Sequence, residues 1–373
     1  MTARTLETQD LLLNMGPQHP STHGVLRLMV RTDGEFVGEV TPVIGYLHRC
    51  AEKIGESVRY DQYIPYTDRL DYLAAMGNNL GFCLAVEKLL GHEVPPRGQY
   101  IRVIMAELNR IASHLLALGA YGLDLGAFTP FLYAFREREM VLDMFEHVCG
   151  ARLTYNYVKV GGVRKDVDAK FGEMLNSFLS IFDSRVKDYN DLFSYNQIFI
   201  DRTRGLGVIS PEQAVEYGLT GPNLRASGVD YDIRKIMPYS SYEKFDFKTI
   251  LGQDGTGVLG DCWNRYYVRI EEMVESCRIL RQAWEGLPEG KFSADLRKVR
   301  PPAGEVYVSV ENPRGELGFY VISDGSETPV RLKIRAPSFS TLSIVPEMGK
   351  NVPLADLVAI LGSIDIVLGE IDR

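Results

Sequence analysis

The chain has 373 residues, 45% hydrophobic and 24% charged, with a formal net charge of −8 at pH 7. This is the composition of a globular protein and excludes long disorder. The acidic balance and scattered basic residues speak against nucleic-acid binding and against a polybasic membrane patch. Residues 1–10 lack the apolar core of a secretory signal, and no apolar run approaches bilayer length, so any membrane association is expected to go through partners. Five widely spaced cysteines with no C-x-x-C pair fit free thiols in a reducing compartment.

The first informative segment is Gly16-Pro17-Gln18-His19-Pro20-Ser21-Thr22-His23-Gly24, with two of the six histidines between prolines and glycines. It reads as an irregular loop carrying two imidazoles. Residues 25–43 alternate as a β-hairpin about a turn at Asp33-Gly34. From 47 to 150 the pattern is helical. One helix is predicted after Thr67 up to Gly91, a second after Pro95-Pro96, and a third with Thr129 as N-cap and Pro130 at its first position, ending at Gly150. Their apolar positions spill around the helix, which predicts burial on several sides.

A strand-like YNYVKVGGV follows, then a helix over about 168–193 and a capping box at Ser210-Pro211-Glu212-Gln213. The stretch 218–257 is loop-rich and leads into a helix over 258–286. Beyond Pro301-Pro302 come three short strands, GEVYVSVE, GFYVISD and VRLKIR, and a last helix near 353–361. The expected fold class is α+β: a central long-helix bundle, an N-terminal β-hairpin portion and a small C-terminal β-rich portion. The expected segments are 1–46, the β-rich portion with the histidine loop; 47–300, the helical core; and 301–373, a C-terminal α+β portion.

Long motifs in fixed order carry a resemblance over nearly the whole chain: GPQHPSTHGVLRL, GYLHR, DRLDYL, IRVIMAELNRIASHL, LDLGAFTPF, FREREMVLDMFE, LRASGVDYDIRK, RGELGFYVISDG, RAPSF and DIVLGEIDR. The chain resembles the 49-kDa-type (D-type) subunit family of respiratory complex I, the proton-translocating NADH:quinone oxidoreductase. The resemblance implies a fold shared with nickel–iron hydrogenase large subunits. The hydrogenase function itself is excluded by coordination chemistry. Two Cys-x-x-Cys pairs hold that metal centre, whereas here His48-Arg49-Cys50-Ala51-Glu52-Lys53 has one cysteine and 363–369 has none.

By the same resemblance, the chain forms with the iron–sulfur B-type subunit of complex I a cavity for quinone. There quinone is reduced by electrons from that partner's terminal [4Fe–4S] cluster, coupled to ion translocation. The chain itself is then expected to bind no cofactor, and to contact the B- and C-type subunits and the membrane-embedded H- and A-type subunits. It is expected to lie peripherally on the cytoplasmic side of the bacterial plasma membrane. The headgroup ligands implied are His23 and Tyr72, which can donate to the quinone oxygens, and Asp124, which pairs with the histidine. Arg49 and Arg69 match cations near the partner's cluster, and His19 shapes the loop. Read without the resemblance, Tyr72 is a core tyrosine on an amphipathic helix, Asp124 a helix-terminal aspartate, and the arginines surface ion pairs. His114 reads as a satisfied core histidine.

Three departures from the family pattern stand out. Thr154-Tyr155-Asn156-Tyr157 replaces the common H-H-N-Y, so a threonine stands where a titrating histidine is usual. The 287–301 connection is short, and Cys50 replaces a usual glycine. An equivalent subunit fed by ferredoxin or coenzyme F420 is the alternative reading, and a non-catalytic assembly scaffold a further one, opposed by the retained His23, Tyr72 and Asp124.

Overall fold

Alternating side chains build the first sheet of this computed structural model, which describes residues 10–18, 24–296 and 298–373. Strands β1 (Asp10–Met15), β2 (Arg27–Asp33) and β3 (Phe36–Val43) pair antiparallel in that order. Leu28 and Val30 of β2 and Val37 and Val40 of β3 face inward. The hairpin turns at Gly34-Glu35, with Gly34 in the left-handed region at φ 62. Strand β1 is an addition to the expected hairpin. Its Leu11-Leu12-Leu13 run does not alternate and stays exposed, so it carries no strand period.

Two short helices, α1 (Ala51–Gly55) and α2 (Tyr60–Thr67), precede the long ones: α3 (Ala75–Leu90), α4 (Pro96–Asp124) and α5 (Phe128–Cys149). The helix expected after Thr67 up to Gly91 starts only at Ala75 as α3, because 68–74 forms non-helical turns, and α2 before it was not expected. Gly91 does end α3, at φ 60. Helix α5 starts at Phe128 after Ala127, so Thr129 is inside the first turn and not the N-cap. The Gly122 carbonyl accepts the Ala127 amide at 2.7 Å and sets that earlier start.

The strand-like stretch is a two-residue ladder of β4 (Val158–Lys159) and β5 (Gly162–Val163). Helix α6 (Ala169–Tyr189), capped by Asp168, closes in a π-helical turn, Asn190–Ser194. Small helices α7 (Gln197–Thr203), α8 (Pro211–Glu216, with the expected capping box), α9 (Gly221–Arg225) and α10 (Ile233–Ile236) lead to α11 (Cys262–Glu285). The three C-terminal strands are β6 (Gly304–Asn312), β7 (Gly315–Ser323) and β8 (Arg331–Arg335), antiparallel in sequence order. Helices α12 (Pro337–Leu342), α13 (Val345–Met348), α14 (Leu354–Ile364) and α15 (Leu368–Asp372) follow.

The architecture is thus mixed helix and sheet, a long-helix core with small sheets. Helix α4 lies at its centre against α3, α5, α11 and α14. It is long and apolar enough to cross a bilayer by length and composition, which the reading of apolar runs did not anticipate. Its most apolar window is 83% buried inside the fold, so its hydropathy serves the core. One apolar cluster joins the bundle to β6–β8; a second joins the N-terminal sheet to α13, α14 and α15.

Candidate functional site

Segment 68–74 owes its shape to side chains that take over backbone groups. Asp71 accepts the Leu73 amide at 3.1 Å, and Asn78 Nδ2 donates to the Asp71 carbonyl at 2.8 Å. Asn109 donates to the Leu73 carbonyl at 2.8 Å and accepts the Met76 amide at 3.0 Å, starting α3 there. Behind the segment, α15 approaches so closely that a methyl group on Gly369 would sit 2.5 Å from the Leu70 carbonyl oxygen. Tyr72 is therefore not a core residue of a helix. It stands on this turn, 37% exposed.

The groups behind Tyr72 are charged and dry. Arg314 donates to Asp71 at 2.8 Å, to Ser113 at 3.0 Å and to Asp365 at 3.1 Å. Partial burial raises the Tyr72 phenol; Arg314 opposes this, while Asp71 and Asp365 add to it. Glu370 is buried nearby, one oxygen accepting the Ser338 amide at 3.0 Å and the other without a partner among the described residues. Burial, then the negative charge of Asp71, pushes Glu370 up to about 7.

Arg49 and Arg69 come together beside this turn. Arg49 donates to the Gly369 carbonyl at 2.9 Å, to the Leu47 carbonyl at 3.1 Å and to the carbonyl of Arg69. Among the described residues no carboxylate lies within ion-pair distance of Arg49. The Arg69 side chain is 55% exposed, donates to the Pro65 carbonyl and lies 3.9 Å from Asp68. Asp68 is fully buried; it accepts Asn79 Nδ2 at 2.8 Å and the Asn156 amide at 3.0 Å, and burial lifts it to about 6. The Thr154 segment is thereby tied to the Arg69 neighbourhood.

Asp124 ends α4 and meets the last turn of α14: a methyl group on Gly362 would lie 2.7 Å from an Asp124 carboxylate oxygen. Asp365, three residues on, carries Arg314, so Tyr72 and Asp124 both refer to the 362–365 turn. His19 and His23 lie outside the described residues. The glycines that bracket their loop are close-packed: a methyl group on Gly16 would lie 2.0 Å from the Leu26 carbonyl oxygen, and one on Gly24 would lie 3.3 Å from Leu368.

His114 is buried as expected, with Nε2 3.0 Å from Glu272. It joins an ion network in the bundle centre. Arg225 bridges Glu272 at 2.6 Å and Glu311 at 2.8 Å, while Glu107 takes Arg110, Arg234, Ser276 and Tyr242. Sequence reasoning assigned no role to Asp68, Asp71, Arg314, Asp365 or Glu370. Their one signal was membership of the DRLDYL, RGELGFYVISDG and DIVLGEIDR motifs, which converge here.

Comparison with known proteins now decides the family. The family model described as respiratory-chain NADH dehydrogenase, 49 Kd subunit, matches residues 124–303 and 295–373. The chain belongs to this family. The D subunit of NADH-quinone oxidoreductase from Bacillus cytotoxicus is 51% identical to the chain over 369 residues, 98% of this chain and 100% of the relative. The protein of that name from Clostridium beijerinckii is 51% identical over 371 residues, 99% of each. As a 49 kDa family member, the chain thus spans its bacterial relatives end to end, including the turn that carries Tyr72.

Proposed function

We propose that this chain is the quinone-site subunit of an NADH:quinone oxidoreductase, completed by the neighbouring iron–sulfur (B-type) subunit, with a fold akin to nickel–iron hydrogenase large subunits. The observation that carries the reading is the surface around Tyr72: an exposed phenol on a turn built by side chains, beside two arginines whose donors go to carbonyls. Arg69 keeps Asp68 at 3.9 Å, while Arg49 has no carboxylate within ion-pair distance among the described residues, so its charge is open toward whatever covers this face.

Quinone reduction consumes two electrons and two protons. The electrons come from the partner's [4Fe–4S] cluster, and the residues of this chain provide shape, charge and hydrogen bonds. Tyr72 donates its hydroxyl to one carbonyl oxygen of the headgroup, and His23 donates from its imidazole to the other. Both bonds strengthen as negative charge develops on those oxygens. Asp124 pairs with His23 and favours its protonated form. Arg49, held by carbonyls with no carboxylate in ion-pair range among the described residues, and Arg69, exposed and 3.9 Å from Asp68, stabilise added negative charge across the interface. His19 shapes the loop. In this reading the B- and C-type subunits and the membrane-embedded H- and A-type subunits surround the chain, which sits on the cytoplasmic side of the membrane.

The test uses Tyr72→Phe and His23→Ala in assembled membranes. NADH oxidation by quinone is expected to fall by ~100-fold, the scale of a lost general acid. Flavin-level reduction of an artificial acceptor is expected to survive. Unchanged quinone reduction in both variants would refute the assignment.

A further inference from the structure

Between α4, α11 and the 362–365 turn lies a cavity of about 10 Å3, room for one water molecule, walled by His114, Ala117, Tyr121, Arg269, Gly362 and Asp365 among others. Four of these buried side chains have one polar atom left over: Tyr121 its hydroxyl, and Arg269, Asp365 and His114 one each. Arg269 donates from Nη1 to the Arg265 and Ser363 carbonyls at 2.7 and 3.0 Å, and from Nη2 to Asn223 and the Ile364 carbonyl at 3.0 and 3.2 Å. Its Nε has no partner among the described residues. Asp365 gives Oδ1 to Arg314 and leaves Oδ2 unmatched, and His114 gives Nε2 to Glu272 and leaves Nδ1 unmatched. Arg269 Nε and Asp365 Oδ2 stand 3.7 Å apart, slightly too far for a direct bond.

We propose that the cavity is a binding site for one internal water, which accepts from Arg269 Nε and donates to Asp365 Oδ2 and His114 Nδ1. The donor and acceptor roles agree at each contact. Burial would raise Glu272, but Arg225 and His114 outweigh it and hold the carboxylate ionised. His114 Nε2 must therefore carry the proton it shares with Glu272. Burial lowers the His114 pKa and outweighs Glu272, so the ring is neutral and Nδ1 is an acceptor. Three partners are the usual complement of a buried water.

This water closes a gap in an otherwise continuous chain. Asp71, the residue before Tyr72, bonds Arg314, which bonds Asp365; beyond the gap, His114 bonds Glu272, which bonds Arg225. With the water in place, the turn that carries Tyr72 is hydrogen-bonded without interruption to the ion network in the bundle centre.

The test is a density map of the assembled complex at a resolution that resolves other internal waters. A density peak within hydrogen-bond distance of His114 Nδ1 and Asp365 Oδ2 is expected. An empty cavity, or an imidazole turned so that both nitrogens bond protein atoms, would overturn the proposal. A second measurement uses Ala117→Val, which adds methyl groups to the cavity wall. Displacing a water should speed amide exchange in α4 of the assembled complex roughly five-fold, the loss of about one hydrogen bond. Slower exchange, as when a dry void is filled, would overturn it. Neither readout depends on quinone turnover, so this inference and the proposed function fail separately.

Discussion

Replacing Glu370 by glutamine should stabilise the C-terminal corner at alkaline pH and modestly destabilise it at acid pH. The native carboxyl is buried, lies beside the negative charge of Asp71 and is pushed up from 4.5 to about 7. A raised carboxylate keeps its proton in the folded state while the opened state has lost it. Stability is therefore full below 4.5, falls as pH rises between 4.5 and 7, and stays reduced above 7. At 1.36 kcal/mol per pH unit that interval corresponds to roughly 3 kcal/mol. Glutamine keeps the acceptor for the Ser338 amide but leaves its own amide N–H2 without a partner, which costs about 1–2 kcal/mol. A net gain of roughly 1–2 kcal/mol at pH 8.5 is expected. Hydrogen exchange of the α15 and α12 amides in the assembled complex, compared between variant and native from pH 5 to 8.5, reads it directly. The protection ratio should rise roughly ten-fold or more with pH. A ratio that stays flat, or falls, would refute the reasoning.

Arg225→Met leaves Glu272 and Glu311 buried without their shared cation; a loss of ~3–5 kcal/mol is expected, seen as depletion of the protein from membranes, and native levels would contradict it. Gly77→Ala puts a methyl group 1.8 Å from Asn312 Oδ1, so about 1–3 kcal/mol of destabilisation is expected in thermal melts of the assembled complex. With Thr154 on the segment tied to Asp68, no titrating side chain stands at that position. An EPR-monitored redox titration of the partner's terminal cluster should show a potential nearly independent of pH, and a slope near ~59 mV per pH unit would count against this.

Helix ends with local punctuation were legible in the sequence: Gly91, Pro95-Pro96, Gly150 and the Ser210 box all act where their chemistry requires. The burial of α4 on several sides was legible as well, because its apolar positions exceed one stripe. The break at 68–74 was not. DRLDYL scans as helix, and only Asn78 and Asn109, brought in by the fold, reveal which backbone groups are taken. The ion network escaped for a related reason. Arginine and glutamate in a helix read as solvated face, and nothing local marks Glu107, Arg225 or Glu272 as paired with distant partners and fully buried. For the site, the motifs marked Tyr72, Asp124, Arg49 and Arg69 by resemblance. The support behind them, Asp71, Arg314, Asp365 and Glu370, comes from three distant stretches and needed coordinates.

The inner face of the β1 to β3 sheet shares one apolar cluster with residues from the far end of the chain: Val345, Met348, Leu357, Ile360, Leu361, Ile364 and Leu368. During translation at the usual ~5–20 residues per second, those leucines and isoleucines emerge roughly 15–60 s after the strands they cover. For that interval the newborn ribbon presents an uncovered oily face and unpaired edges, the kind of surface that invites chaperone capture or adhesion to neighbouring nascent chains. Maturation of this protein is thus set to be slow and helper-dependent.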